Sequence, residues 1–112
     1  MDDIIKLLIK NLVELLVNSK FAEIVTRNEN GRLSEDEIKV AINDYPGSIT
    51  LPPDSAYDTV CVYDVYDEST EARKVEFDLW YDEEISDLTL SADIHKSESG
   101  EFVITIDDIH VL

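Results

Sequence analysis

The chain has 112 residues, 26 acidic against 9 basic, for a formal net charge of −17, and 44% of it is apolar. That length makes one domain with one core, residues 1–112, and the apolar content excludes wholesale disorder. The charge excludes direct binding of nucleic acid or an anionic membrane, and a single cysteine, Cys61, excludes a disulfide framework and points to a reducing cytoplasm and a buried thiol.

Met1–Val17 is apolar, but Asp2 and Asp3 stand where a targeting segment carries bases, and Lys6, Lys10 and Glu14 interrupt it. The pattern predicts a core helix to about Asn18, N-capped by Asp2 or Asp3 and apolar over more than half its circumference. Ser19 is the expected cap of a short second helix with Phe21, Ile24 and Val25 on one face. A turn follows at Asn28–Arg32. Ser34-Glu35-Asp36-Glu37 then reads as a capping box, with Leu33 and Ile38 as its hydrophobic staple, opening a third helix to about Asp44. Pro46-Gly47 ends it, and an extended connection runs to Asp54.

The period then changes to two. Tyr57–Tyr66, Lys74–Tyr81, Asp87–His95 and Phe102–Asp107 read as four strands, each with one apolar face, joined by short polar links. Helices followed by strands predict an α+β fold, with three N-terminal helices packed on one face of a four-stranded antiparallel meander and the other face in water.

Three patterns carry possible chemistry. Thr26–Glu37 resembles a calcium-binding EF-hand loop, with Asn28, Asn30, Gly31 and Glu37 in register. Thr26 replaces the first carboxylate, however, and a glycine turn entering a capped helix explains the same residues, so no metal site is expected. His95 and His110, the latter beside Asp107 and Asp108, lack any metal-ligand or acid–base spacing. No phosphate-cradling glycine loop is present. No catalytic residue and no cofactor are therefore expected, and the chain reads as a non-enzyme.

The third pattern is acidic. Residues 57–112 hold sixteen acids and three bases, net −13, against net −4 for residues 1–56. The non-core face of the strands carries Glu76, Asp78, Trp80, Asp87, Asp93 and Asp107, with Thr89, Ser91 and Thr105 between them, and Asp82-Glu83-Glu84 occupies a turn. A tryptophan among carboxylates suits recognition of a basic protein, charge steering the encounter and the indole anchoring it. These nine residues are the expected contact set. The plain alternative is a solvated face that keeps the protein soluble.

Leu12-Val13-Glu14-Leu15-Leu16, Lys20-Phe21, Gly31-Arg32-Leu33-Ser34, Thr50-Leu51-Pro52-Pro53, Asp78-Leu79-Trp80, Ser86–Leu90 and Asp107–Val111 follow in an order that resembles a small bacterial family. That family is similar in size, charge and architecture to the immunity proteins of contact-dependent growth inhibition. The resemblance implies a cytoplasmic inhibitor that blocks the active site of a cognate basic toxin domain, often a nuclease. Two alternatives remain open: a small α+β domain with a ligand pocket or weak enzyme activity, and a degenerate EF-hand calcium binder.

Overall fold

The first helix, α1 (Asp2–Val17), places Ile5, Ile9, Leu12, Val13 and Leu16 on one buried stripe. Each such side chain contributes on the order of 1.5–3 kcal/mol by leaving water. Ile4 and Leu7 stay exposed, so α1 is covered on a narrower arc than its composition suggests. The fold is that of a computed structural model, which describes residues 2–64 and 72–111. Among these, no helix is long and apolar enough to cross a membrane.

Ser19 does not cap the second helix. It adopts φ +57°, and the amides of Ser19 and Lys20 return to the carbonyls of Leu16 and Leu15. A left-handed residue there closes the end of α1, and α2 (Phe21–Thr26) starts from Lys20. The capping box forms as the sequence predicts. Ser34 Oγ accepts the Glu37 amide and Glu37 Oε1 accepts the Ser34 amide, both at 3.1 Å, ahead of α3 (Glu35–Asp44).

Among the described residues five strands follow: β1 (Ile49–Thr50), β2 (Cys61–Asp64), β3 (Arg73–Tyr81), β4 (Glu84–Lys96) and β5 (Phe102–Val111). All pairings are antiparallel, in the order β1-β3-β4-β5. β2 also pairs with β3. Thus β1 and β2 share one edge, β1 opposite Tyr81 and Trp80, β2 opposite Glu76 to Arg73. The meander β3-β4-β5 and the N-terminal helical layer are as expected. The fifth strand, β1, is an addition.

Two further expectations change. Tyr57 belongs to a 3-10 turn, Asp54–Thr59, not to a strand. It is buried and stacks on Phe77, with ring centroids 5.1 Å apart. Burying that ring outweighs the strand preference of Tyr-Asp-Thr-Val, and among the described residues of that stretch Cys61–Asp64 pairs. The rest of the expected strand, Val65 and Tyr66, lies outside the described residues. Cys61 is exposed, because β2 is an edge strand and its thiol does not face the core.

The core lies between the helices and one face of the sheet. Val75, Phe77 and Leu79 of β3, Leu90, Ala92 and Ile94 of β4, and Ile104 and Ile106 of β5 meet the stripe of α1 and Ile38 and Ile42 of α3. The Tyr81 hydroxyl donates to the Ile42 carbonyl at 2.5 Å and fastens β3 to α3. The loop before α3 closes the outer edge of β5, where the Ile106 amide donates to the Glu29 carbonyl at 2.7 Å. Gly31 (φ +58°) permits this approach, since a Cβ there would stand 2.1 Å from the Ile106 carbonyl oxygen.

Candidate interaction surface

The alternation of β3 puts Lys74, Glu76, Asp78 and Trp80 on the face away from the helices. Asp93 on β4 and Asp107 on β5 join them, and much of the charge there is already met. Lys74 Nζ lies 2.8 Å from Asp107 Oδ2 and 3.7 Å from Asp93 Oδ1, and Arg32 Nη2 lies 3.0 Å from Asp107 Oδ1. The Lys74 hydrogen bond holds the Asp107 carboxyl below its ordinary range against the opposing effect of burial. Asp78 accepts the Thr89 hydroxyl at 2.8 Å.

The middle of this face is not open to water as expected. Thr89 and Ser91 are only 1% and 3% exposed. These short side chains stand on the central strand, opposite Asp78 and His110 for Thr89 and opposite Glu76 and Asp108 for Ser91, and the longer neighbours overshadow them. Trp80 is likewise half-buried and packs against the core. Its Nε1 is covered and has no hydrogen-bond partner among the described residues. The indole is thus in part structural.

The remaining predicted residues gather at the far end of the sheet. Asp82 and Glu83 form a two-residue turn between β3 and β4, with φ +52° and +66°, and Tyr81 pairs with Glu84 across it. Such a turn matches the twist of the strands it joins. Asp82 is anchored to the segment after α3. Its amide donates to the Ser48 carbonyl at 2.8 Å and its Oδ1 accepts the Ser48 amide at 3.1 Å.

Asp87 leaves the expected face altogether. Between the pairs Asp78–Thr89 and Trp80–Ile85, β3 has one residue and β4 has three. Ser86 Oγ bridges the irregularity, donating to the Leu79 carbonyl and accepting the Leu88 amide. The bulge turns Asp87 toward the end of α3, where it accepts the Tyr45 hydroxyl. That bond raises the Tyr45 phenol above its ordinary range.

Some acids have bases of their own: Asp93 and Asp107 on the sheet face have Lys74 and Arg32, and at the 3-10 turn Asp58 and Asp54 have Lys6 and Lys10 at 2.7 and 3.3 Å. Asp44, Asp82, Glu83, Glu84 and Asp87 are all exposed, and none forms an ion pair among the described residues.

Beside this acidic end lies a feature that sequence reading missed. An open groove of about 630 Å³ runs between the end of α3 and the strands, floored by Ala41, Leu88 and Ile109 and edged by Asp44, Tyr45, Asp87 and His110. A second depression of about 370 Å³ continues it along α3 past Leu33, Asp36, Glu37 and Val40 to Asp108. Neither lining contains a lysine or arginine. Asp44 and Asp36 were visible only as helix residues, because nothing local says that β5 ends beside them.

The histidines do not converge. His95 faces Val103 at one end of the β4–β5 ladder and His110 faces Thr89 near the other. His110 Nδ1 lies 3.2 Å from Asp108 Oδ2, off the line of a hydrogen bond. Among the described residues, no group of three or more His, Cys, Asp or Glu side chains is placed to hold a metal ion. In the EF-hand-like loop, Glu37 is engaged in the capping box, Thr26 donates to the Ala22 carbonyl, and Asn30 donates to the Leu33 carbonyl.

A family model described as Domain of unknown function (DUF7668) matches residues 13–112. No curated protein and no solved structure matches the chain.

Proposed function

The chain belongs to this family of domains of unknown function, and we propose that it acts as a non-enzymatic binding protein that neutralises a basic protein partner. The observation that carries this reading is the uneven compensation of its charge. Asp93 and Asp107 on the sheet face and Asp54 and Asp58 beside α1 have bases of their own, while the five acids gathered at the hairpin end stand exposed without one among the described residues. Uncompensated charge at one end of a molecule creates a directed field that accelerates encounter with an oppositely charged surface.

The finer reading comes from the resemblance to immunity proteins. The partner is then a toxin domain, such as a ribonuclease, met in the cytoplasm and blocked at its active site. Growth is the test: candidate toxin domains from the reading frames that flank this chain's gene are expressed with and without it. The reading expects survival only with the chain, and association in vitro that slows about tenfold or more from low to physiological salt. Association indifferent to salt, or substrate turnover by the chain itself, would refute it.

A further inference from the structure

The two depressions along α3 share Ala41 and Ile109 and form one trough. Its lips are apolar and uncovered, Val40 being 54% and Val111 53% exposed. Its rim is acidic at both ends, with Asp36 and Asp108 at one and Asp44 and Asp87 at the other. An apolar floor between carboxylates suits a segment that is apolar on one side and basic on its flanks.

The edge of β5 decides the conformation of that segment. An extended peptide would need free backbone groups to add a strand. Here the Ile106 amide is bonded to Glu29, the Asp107 carbonyl receives Arg32 Nε at 3.3 Å, and the Ile109 amide is held by the Asp108 carboxylate at 2.9 Å. At Ile106, Asp107 and Ile109 this edge is already engaged, which disfavours an added strand and favours recognition through side chains. The other wall is α3, ten residues and about 15 Å long. We infer that the trough docks a basic amphipathic helix of the partner protein, lying beside α3 as the next member of the helical layer. This rests on the reading of the chain as a binder of basic protein and names the surface and the recognised element.

The test uses the isotope-labelled whole chain and three synthetic probes of equal length and charge. One is an amphipathic peptide with leucines at helical spacing among lysines and arginines. The second is its scramble, and the third carries a central proline that prevents the helix. The expected result is that the first peptide binds at least tenfold tighter than the others and shifts the amides of Val40, Ala41, Ile109 and Val111. Val40→Lys with Val111→Lys, both exposed positions, abolishes that preference without moving the melting temperature. Equal binding of peptide and scramble, with shifts at Asp82 and Glu83, overturns the trough but keeps the basic-partner reading. Equal binding by the proline peptide overturns the helical element. Binding by none of the three at low salt overturns both readings.

Discussion

Lys74 reaches across the whole of β4 to set its ammonium 2.8 Å from the carboxylate of Asp107 on β5. The pair ties together two strands that share no backbone hydrogen bond. Asp107 is held below its ordinary 3.8 by that bond, and Lys74 is raised above 10.5 by it. Stability from a lowered carboxyl is present above its unfolded value and disappears as pH falls through the folded one. Stability from a raised amine is present below 10.5 and disappears as pH rises beyond it. Asp107→Asn should therefore cost about 1 kcal/mol at neutral pH, since both side chains remain partly solvated. It should also flatten the acid limb of a urea-unfolding series. An unchanged acid limb would refute the assignment.

The buried tyrosines govern the alkaline side. Burial pushes the phenols of Tyr57 and Tyr81 up to about 12. The unfolded chain loses these protons near pH 10, so their contribution to stability is complete below about pH 10 and declines as pH climbs toward 12. A phenolate absorbance titration should lose one late-titrating proton in Tyr81→Phe. The same variant strands the Ile42 carbonyl and should lose about 1 kcal/mol.

Ser34→Ala removes one half of the capping box and should cost about 1 kcal/mol. Millimolar calcium should leave the melting temperature of the parent unchanged, because Glu37, Thr26 and Asn30 are committed to hydrogen bonds within the loop. A calcium-dependent rise that vanishes in Glu37→Gln would instead identify a metal site.

Glu83 holds a left-handed conformation at φ +66°, a position that favours glycine. Glu83→Gly should stabilise the fold by up to about 1 kcal/mol. If the hairpin end faces a basic partner, the same variant should also slow association slightly while leaving dissociation unchanged. Stability and association rate moving in opposite directions would separate the two roles of this residue.

What the sequence disclosed was local. The stripe of α1, the Ser34–Glu37 box and the alternation of Lys74–Tyr81 each depend on residues within one or two turns or a strand pair. What it concealed depends on distant neighbours. β1 is two residues between Gly47 and Pro52, too short for any periodicity, and exists because Tyr81 and Trp80 offer it an edge. The turn at Asp82-Glu83 lacks the glycine or asparagine that announces such turns, so Glu84–Ser86 reads as loop. Asp87 keeps perfect alternation with Thr89 and Ser91 in sequence, yet the bulge at Ser86 turns it to Tyr45. The groove was hidden for the same reason, since its walls lie more than forty residues apart along the chain.

The order of the strands has a kinetic corollary. β3 meets β4 across two residues and β4 meets β5 across residues 97–101, whereas β1 reaches β3 only after some thirty intervening residues. Short closures cost least entropy, so the three-stranded meander is the natural folding nucleus, and α1 and β1 condense onto it afterwards. Truncations in the buried stripe of α1, such as Leu12→Ala, should then speed unfolding far more than they slow folding, while truncations at Phe77 or Leu90 should do the reverse.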